Sequence, residues 1–121
     1  MEKKKLFAFL NNSVNKNTFL SCGYANGYVA IPPEHKLHEK DYYTVDNLVD
    51  VHGGLTYGEP ITDCKKWEDI EPINFKSMDE IPDDYKVYGF DTMHFQDGPH
   101  LNKKWCVYET LSLMEQLEKL Y

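Results

Sequence analysis

Asn102-Lys103-Lys104-Trp105-Cys106-Val107-Tyr108-Glu109-Thr110-Leu111-Ser112-Leu113-Met114-Glu115-Gln116-Leu117-Glu118-Lys119-Leu120-Tyr121 is the stretch whose reading decides the fold. Val107, Leu111, Met114, Leu117 and Tyr121 recur three or four positions apart, the spacing of one helical face. Cys106, Thr110, Leu113 and Leu120 flank that stripe, while Glu109, Glu115, Gln116, Glu118 and Lys119 take polar positions. Asn102 has the chemistry of an N-cap, because its side-chain oxygen can accept from an otherwise orphaned amide of the first turn. An amphipathic helix of this kind buries its apolar face, normally on a sheet.

The strands that would form the sheet lie upstream. Lys5 to Leu10 reads as an opening strand, Thr18 to Tyr24 as a second, and Tyr28 to Ile31 as a third ended by Pro32-Pro33. Ala25-Asn26-Gly27 between the last two predicts a tight hairpin turn, and Asn11 to Asn17 predicts a loop. Tyr85 to Asp91 alternates well enough to be a strand entering the core. Leu55-Thr56-Tyr57 has β character, and Asp41 to Val49 suits a short helix with Asp41 or Thr44 at its start. Residues 58–84 hold prolines at 60, 72 and 82 among many acids, which predicts a long surface excursion with one helical turn near Ser77-Met78-Asp79-Glu80. The expected architecture is a single α+β domain over residues 1–121, an antiparallel sheet packed against the C-terminal helix.

Composition bounds the function. With 121 residues, 41% hydrophobic and 14% aromatic, the chain can bury a core without covalent staples. A formal charge of −7 and the absence of arginine exclude a general binder of double-stranded nucleic acid, which needs clustered cations. Acidity leaves room for a basic partner surface, and neutralising Asp83-Asp84 and Glu68-Asp69 would test docking through the acidic excursion. The apolar run after the N-terminal lysines spans only Leu6 to Leu10, too short to cross a membrane. Cys22, Cys64 and Cys106 are odd in number and widely spaced, which suits reduced thiols in a cytoplasmic protein.

Two segments carry the chemistry. Val51-His52-Gly53-Gly54-Leu55-Thr56-Tyr57-Gly58 sets an imidazole before two glycines that permit positive φ and close backbone approach. Tyr88-Gly89-Phe90-Asp91-Thr92-Met93-His94-Phe95-Gln96-Asp97 sets a second imidazole between two carboxylates. If the segments meet, His52, Asp91 and His94 are the candidate catalytic residues, and Gly53, Gly54, Thr56 and Asp97 complete a ligand pocket. In that pocket the imidazoles supply hydrogen bonds, Asp91 fixes a tautomer, and the glycine amides meet an acceptor. Two histidines and one carboxylate also suit a divalent metal and a bound water, so metal-dependent hydrolysis is the alternative. His35 and His38 are three apart, but the preceding prolines favour a loop over a metal-binding turn. His100 reads as a loop residue, Lys103 and Lys104 as surface residues of the first helical turn, and Cys22 as a structural thiol.

Taken in order, Cys22-Gly23-Tyr24, Gly27 to His35, Val51 to Tyr57 and Gly89-Phe90-Asp91-Thr92-Met93-His94 resemble a family of small proteins from phages, prophages and other mobile elements. The resemblance spans residues 22–120 and is least over 58–84. Here Ala25-Asn26 separates Tyr24 from Gly27, where the family is shorter, which leaves the register of the first hairpin open. The resemblance implies a cytoplasmic accessory protein that binds a small ligand or a host protein and acts on host functions or defence. It implies no reaction.

Overall fold

The computed structural model describes residues 3–121. Five strands form one antiparallel sheet: β1 (Phe7–Asn11), β2 (Asn26–Ile31), β3 (Tyr57–Pro60), β4 (Ile70–Pro72) and β5 (Lys86–Phe90), in the order β3-β5-β2-β1-β4. Three short helices, α1 (Ser13–Lys16), α2 (Tyr42–Asp46) and α3 (Ile61–Cys64), precede the long C-terminal α4 (Lys103–Lys119). The fold is therefore α+β, an antiparallel sheet with a C-terminal helix packed on it. No helix among the described residues is long and apolar enough to cross a membrane.

Period-two alternation sorts the central strands onto two faces. Ala8, Val29, Ile31, Tyr88 and Phe90 point to α4, where they meet Leu113 and Leu117. Phe7, Phe9, Tyr28, Ala30 and Val87 point the other way and meet Ile61, Cys64 and Ile81. Both faces are covered, which is why β1 and β2 are buried along their whole length. Each fully buried leucine of α4 contributes roughly 1.5–3 kcal/mol by leaving water.

Residues 58–84 therefore depart from the expected surface excursion. They supply two edge strands, α3 and a 3₁₀ turn over Met78–Glu80, and they roof the second face with Ile61, Cys64 and Ile81 while Trp67, Ile70, Phe75 and Met78 pack alongside. The expected turn near Ser77 is present, closed by a capping box between Ser77 and Glu80.

The N-terminal hairpin also differs. Residues 18–24 form no strand, and Asn26-Gly27 lies inside β2, where Gly27 pairs with Leu10 and Phe90. Gly27 is needed for close approach: a Cβ there would collide with Thr110 Oγ1 of α4 and the ring of Phe90. Asn26 accepts from Thr92 N–H at 3.0 Å, which ties the start of β2 to the end of β5. The expected helix near Asp41 is α2, with Asp41 accepting from Thr44 N–H at 2.8 Å as its cap. Asn102 likewise caps α4 by accepting from Trp105 N–H at 3.0 Å. On α4 the fully buried residues are Cys106, Thr110, Leu113 and Leu117: Leu117 belongs to the expected stripe, the other three each precede one of its members, and Leu111 and Met114 lie half-buried beside them.

Candidate functional site

Two loops come together over the first turns of α4. One, after α2, carries His52; the other, after β5, carries Asp91, His94 and Asp97. The first is a tight turn in which Gly54 N–H donates to Val51 carbonyl at 2.9 Å. Gly53 and Gly54 hold φ of +69° and +81°, a region that penalises any side chain. The turn is pinned on both sides: His52 N–H donates to Glu109 Oε2 of α4 at 2.7 Å, and Leu55 N–H to Asp46 Oδ1 of α2 at 2.7 Å. The His52 ring stands edge-on to Trp105, with centroids 5.0 Å apart.

The second loop is folded around Asp97. Its N–H donates to His94 carbonyl at 2.9 Å, and its Oδ2 accepts from His94 N–H at 3.0 Å. Gln96, at φ +74°, provides the left-handed step that closes this turn. The buried Asp97 carboxylate then faces His52 Nε2 at 2.9 Å from Oδ1 and 3.1 Å from Oδ2. A carboxylate only accepts, so the proton on Nε2 faces Asp97 and Nδ1 of the neutral ring is left as an acceptor.

His94 forms a second pair. Its buried Nε2 lies 3.3 Å from Asp91 Oδ1, without the alignment of a hydrogen bond. Asp91 Oδ1 meanwhile accepts from Met93 N–H at 3.0 Å, which bends the chain after β5. The His94 ring rests against Gly53, where a Cβ would overlap Nε2, and its centroid is 5.8 Å from that of His52. Two imidazoles and two carboxylates from separate loops thus share one cluster.

Of the residues expected there, the structure brings together His52, Gly53, Asp91, His94 and Asp97. The roles are redistributed: Asp97, rather than Asp91, holds His52, and the Gly54 amide is engaged within its own turn. Thr56 belongs to the sheet edge, where its N–H donates to Gly89 carbonyl at 2.9 Å and its side chain is exposed. Among the described residues, no group of three or more His, Cys, Asp or Glu side chains is arranged to hold a metal ion. The donors proposed for a divalent ion are divided instead between two imidazole–carboxylate pairs.

His94 and Asp97 also line an open cleft of about 560 Å³, whose apolar walls are Leu20, Met93, Phe95 and Pro99, with His100 at its rim. Phe95 is 93% exposed and Leu20 69%, and the neighbouring Phe19 is fully exposed. The sequence reading missed Trp105 and Glu109, which orient His52, and these exposed apolar residues, since an isolated phenylalanine looks the same in a core and on a rim. His35 is buried away from the cluster, where its Nε2–H donates to Leu117 carbonyl at 2.8 Å and its Nδ1 accepts from Leu37 N–H at 3.0 Å. His38 Nε2 bonds Asp84 carbonyl at 2.6 Å.

Compared with known protein families, curated proteins and solved structures, the chain matches none.

Proposed function

We propose that this chain is a small accessory protein, of phage or mobile-element type, that binds a segment of a host protein in the cleft beside His94. The carrying observation is the pairing of an exposed apolar rim, Leu20 and Phe95, with a polar floor made by His94 and the buried Asp97. Contiguous exposed apolar surface rimmed by polar groups marks interaction sites. Here an apolar side chain of the partner enters between Leu20 and Phe95, and its backbone hydrogen-bonds the imidazole. The two imidazole–carboxylate pairs hold the loop in shape, so little ordering is needed on binding. The mobile-element setting rests on the four segments quoted above and on nothing in the geometry.

Site-specific photo-crosslinking tests this reading. A photoreactive side chain at Phe95 should capture a discrete bacterial protein, whereas one at the exposed Val14 should not. Against that purified protein, Phe95→Ser and His94→Ala should each weaken binding about 30-fold, the scale of an interface hot spot. Thr56→Ala should leave binding unchanged. Equal capture from both positions, or undiminished binding by Phe95→Ser, would discard the cleft as the docking site.

A further inference from the structure

A second, open cavity of about 240 Å³ shares no lining residue with the cleft; Asn11, Ser13, Val14, Tyr28, Trp67 and Glu68 line it. Its wall is an aromatic corner. The rings of Tyr28 and Trp67 have centroids 4.9 Å apart and planes at 60°. Tyr57 packs edge-on against both, at 5.4 and 5.3 Å, and Phe9 stacks behind Tyr28 at 5.5 Å, so neither ring can swing away.

The rims are fixed as firmly as the wall. Asn11, itself 5% exposed, donates from Nδ2 to Glu68 carbonyl at 2.7 Å and accepts at Oδ1 from Ser13 N–H at 3.2 Å. Asn12 N–H reaches Asp69 carbonyl at 3.2 Å, and Lys16 pairs with the Asp69 carboxylate at 2.7 Å. Asp69 takes φ +58°, a left-handed turn that a non-glycine residue adopts rarely. These contacts neutralise Asp69 but leave the neighbouring Glu68 carboxylate with no ion pair or hydrogen bond among the described residues.

The lining thus offers the aromatic residues Tyr28 and Trp67, one unpaired carboxylate and the half-exposed apolar Val14, with no cationic side chain. Anions are disfavoured there. Hard metal ions need several oxygen ligands, which one carboxylate does not supply. A cation with an apolar shell satisfies every surface at once, because ring quadrupoles and the carboxylate attract its charge while the methyl groups contact the rings. The volume falls below the roughly 300–1,000 Å³ of pockets for drug-sized ligands and suits a headgroup. We propose that the Tyr28–Trp67–Glu68 cavity is a binding site for a small alkylated ammonium compound, of the chemistry carried by choline.

Choline and dimethylbutanol, in which carbon replaces the quaternary nitrogen, are the probes. The chain has two tryptophans, so two indole N–H resonances report separately on Trp67 and Trp105. Titrating choline at constant ionic strength should shift the Trp67 resonance saturably and leave that of Trp105 still. Dimethylbutanol should bind at least about tenfold more weakly, and Glu68→Gln, a surface change, should weaken choline several-fold. His94→Ala should have no effect on either. Equal affinity for the two probes would reduce the cavity to an apolar dent, and a Trp67 resonance unmoved by choline, or choline binding undiminished by Glu68→Gln, would overturn the proposal.

Discussion

His35 shows what one buried polar side chain can dictate. Both its ring nitrogens are engaged, Nε2 as donor to the last turns of α4 and Nδ1 as acceptor from Leu37, so the ring must be neutral to keep both bonds. Burial is the main cause that lowers its pKa below the ordinary 6.5, and Lys36 adds to it. Between the lowered value and about 6.5 the unfolded chain binds the proton that the folded chain refuses. The stabilisation is therefore complete above about pH 6.5 and is lost as pH falls. Urea unfolding from about pH 7 to about pH 5 should show a falling midpoint, and His35→Gln should flatten that slope while lowering the midpoint at neutral pH. Gly53 is the other residue whose identity is dictated. Gly53→Ala would strain a left-handed φ and push the new methyl into the His94 ring, at a cost of about 1–3 kcal/mol by equilibrium unfolding. Both histidine-bearing segments stand out in the sequence as chemistry. Which carboxylate serves which imidazole does not, because it turns on the left-handed step at Gln96, and nothing in glutamine's composition announces it.

At the scale of elements, α4 is legible because its period of three to four residues survives any context, and its cap is the one Asn102 announces. The buried edge is harder to read. Thr110 belongs to the core only because Gly27 removes a side chain opposite it, a complementarity between residues far apart in the chain. Gly27→Ala should lift α4 from β2 and cost about 1–3 kcal/mol, as overpacked cores do. The same glycine follows an asparagine, so local turn chemistry pointed to a hairpin bend where tertiary packing makes a strand. Residues 58–84 are opaque for a different reason. Ile61, Cys64 and Ile81 are single apolar residues set among acids, lysines and prolines, and no period links them, yet each is fully buried. Ile61→Ala should destabilise by about 2–5 kcal/mol, the range of buried cavities; a loss under about 0.5 kcal/mol would mean that the roof contributes nothing.

The whole molecule is a sheet with a different cover on each side. Because β1 and β2 send alternate side chains into both cores, neither cover has strands of its own. Ile61→Ala beneath one cover and Leu113→Ala beneath the other should therefore shift one common transition. Fluorescence, with Trp67 in one layer and Trp105 in the other, should coincide with circular dichroism throughout. Separate midpoints would show the layers unfolding independently. The three thiols extend this picture. Burial pushes Cys64, under the α3 side, up to about 12 and raises Cys106, under α4, while Cys22 is half-buried in the loop before β2. An alkylating reagent would thus mark Cys22 first in the intact protein and spare the other two. Whenever one cover breathes open ahead of the other, the sulfur beneath it becomes the next to be modified, so mass spectrometry of partly labelled protein would reveal which side of the sheet loosens first.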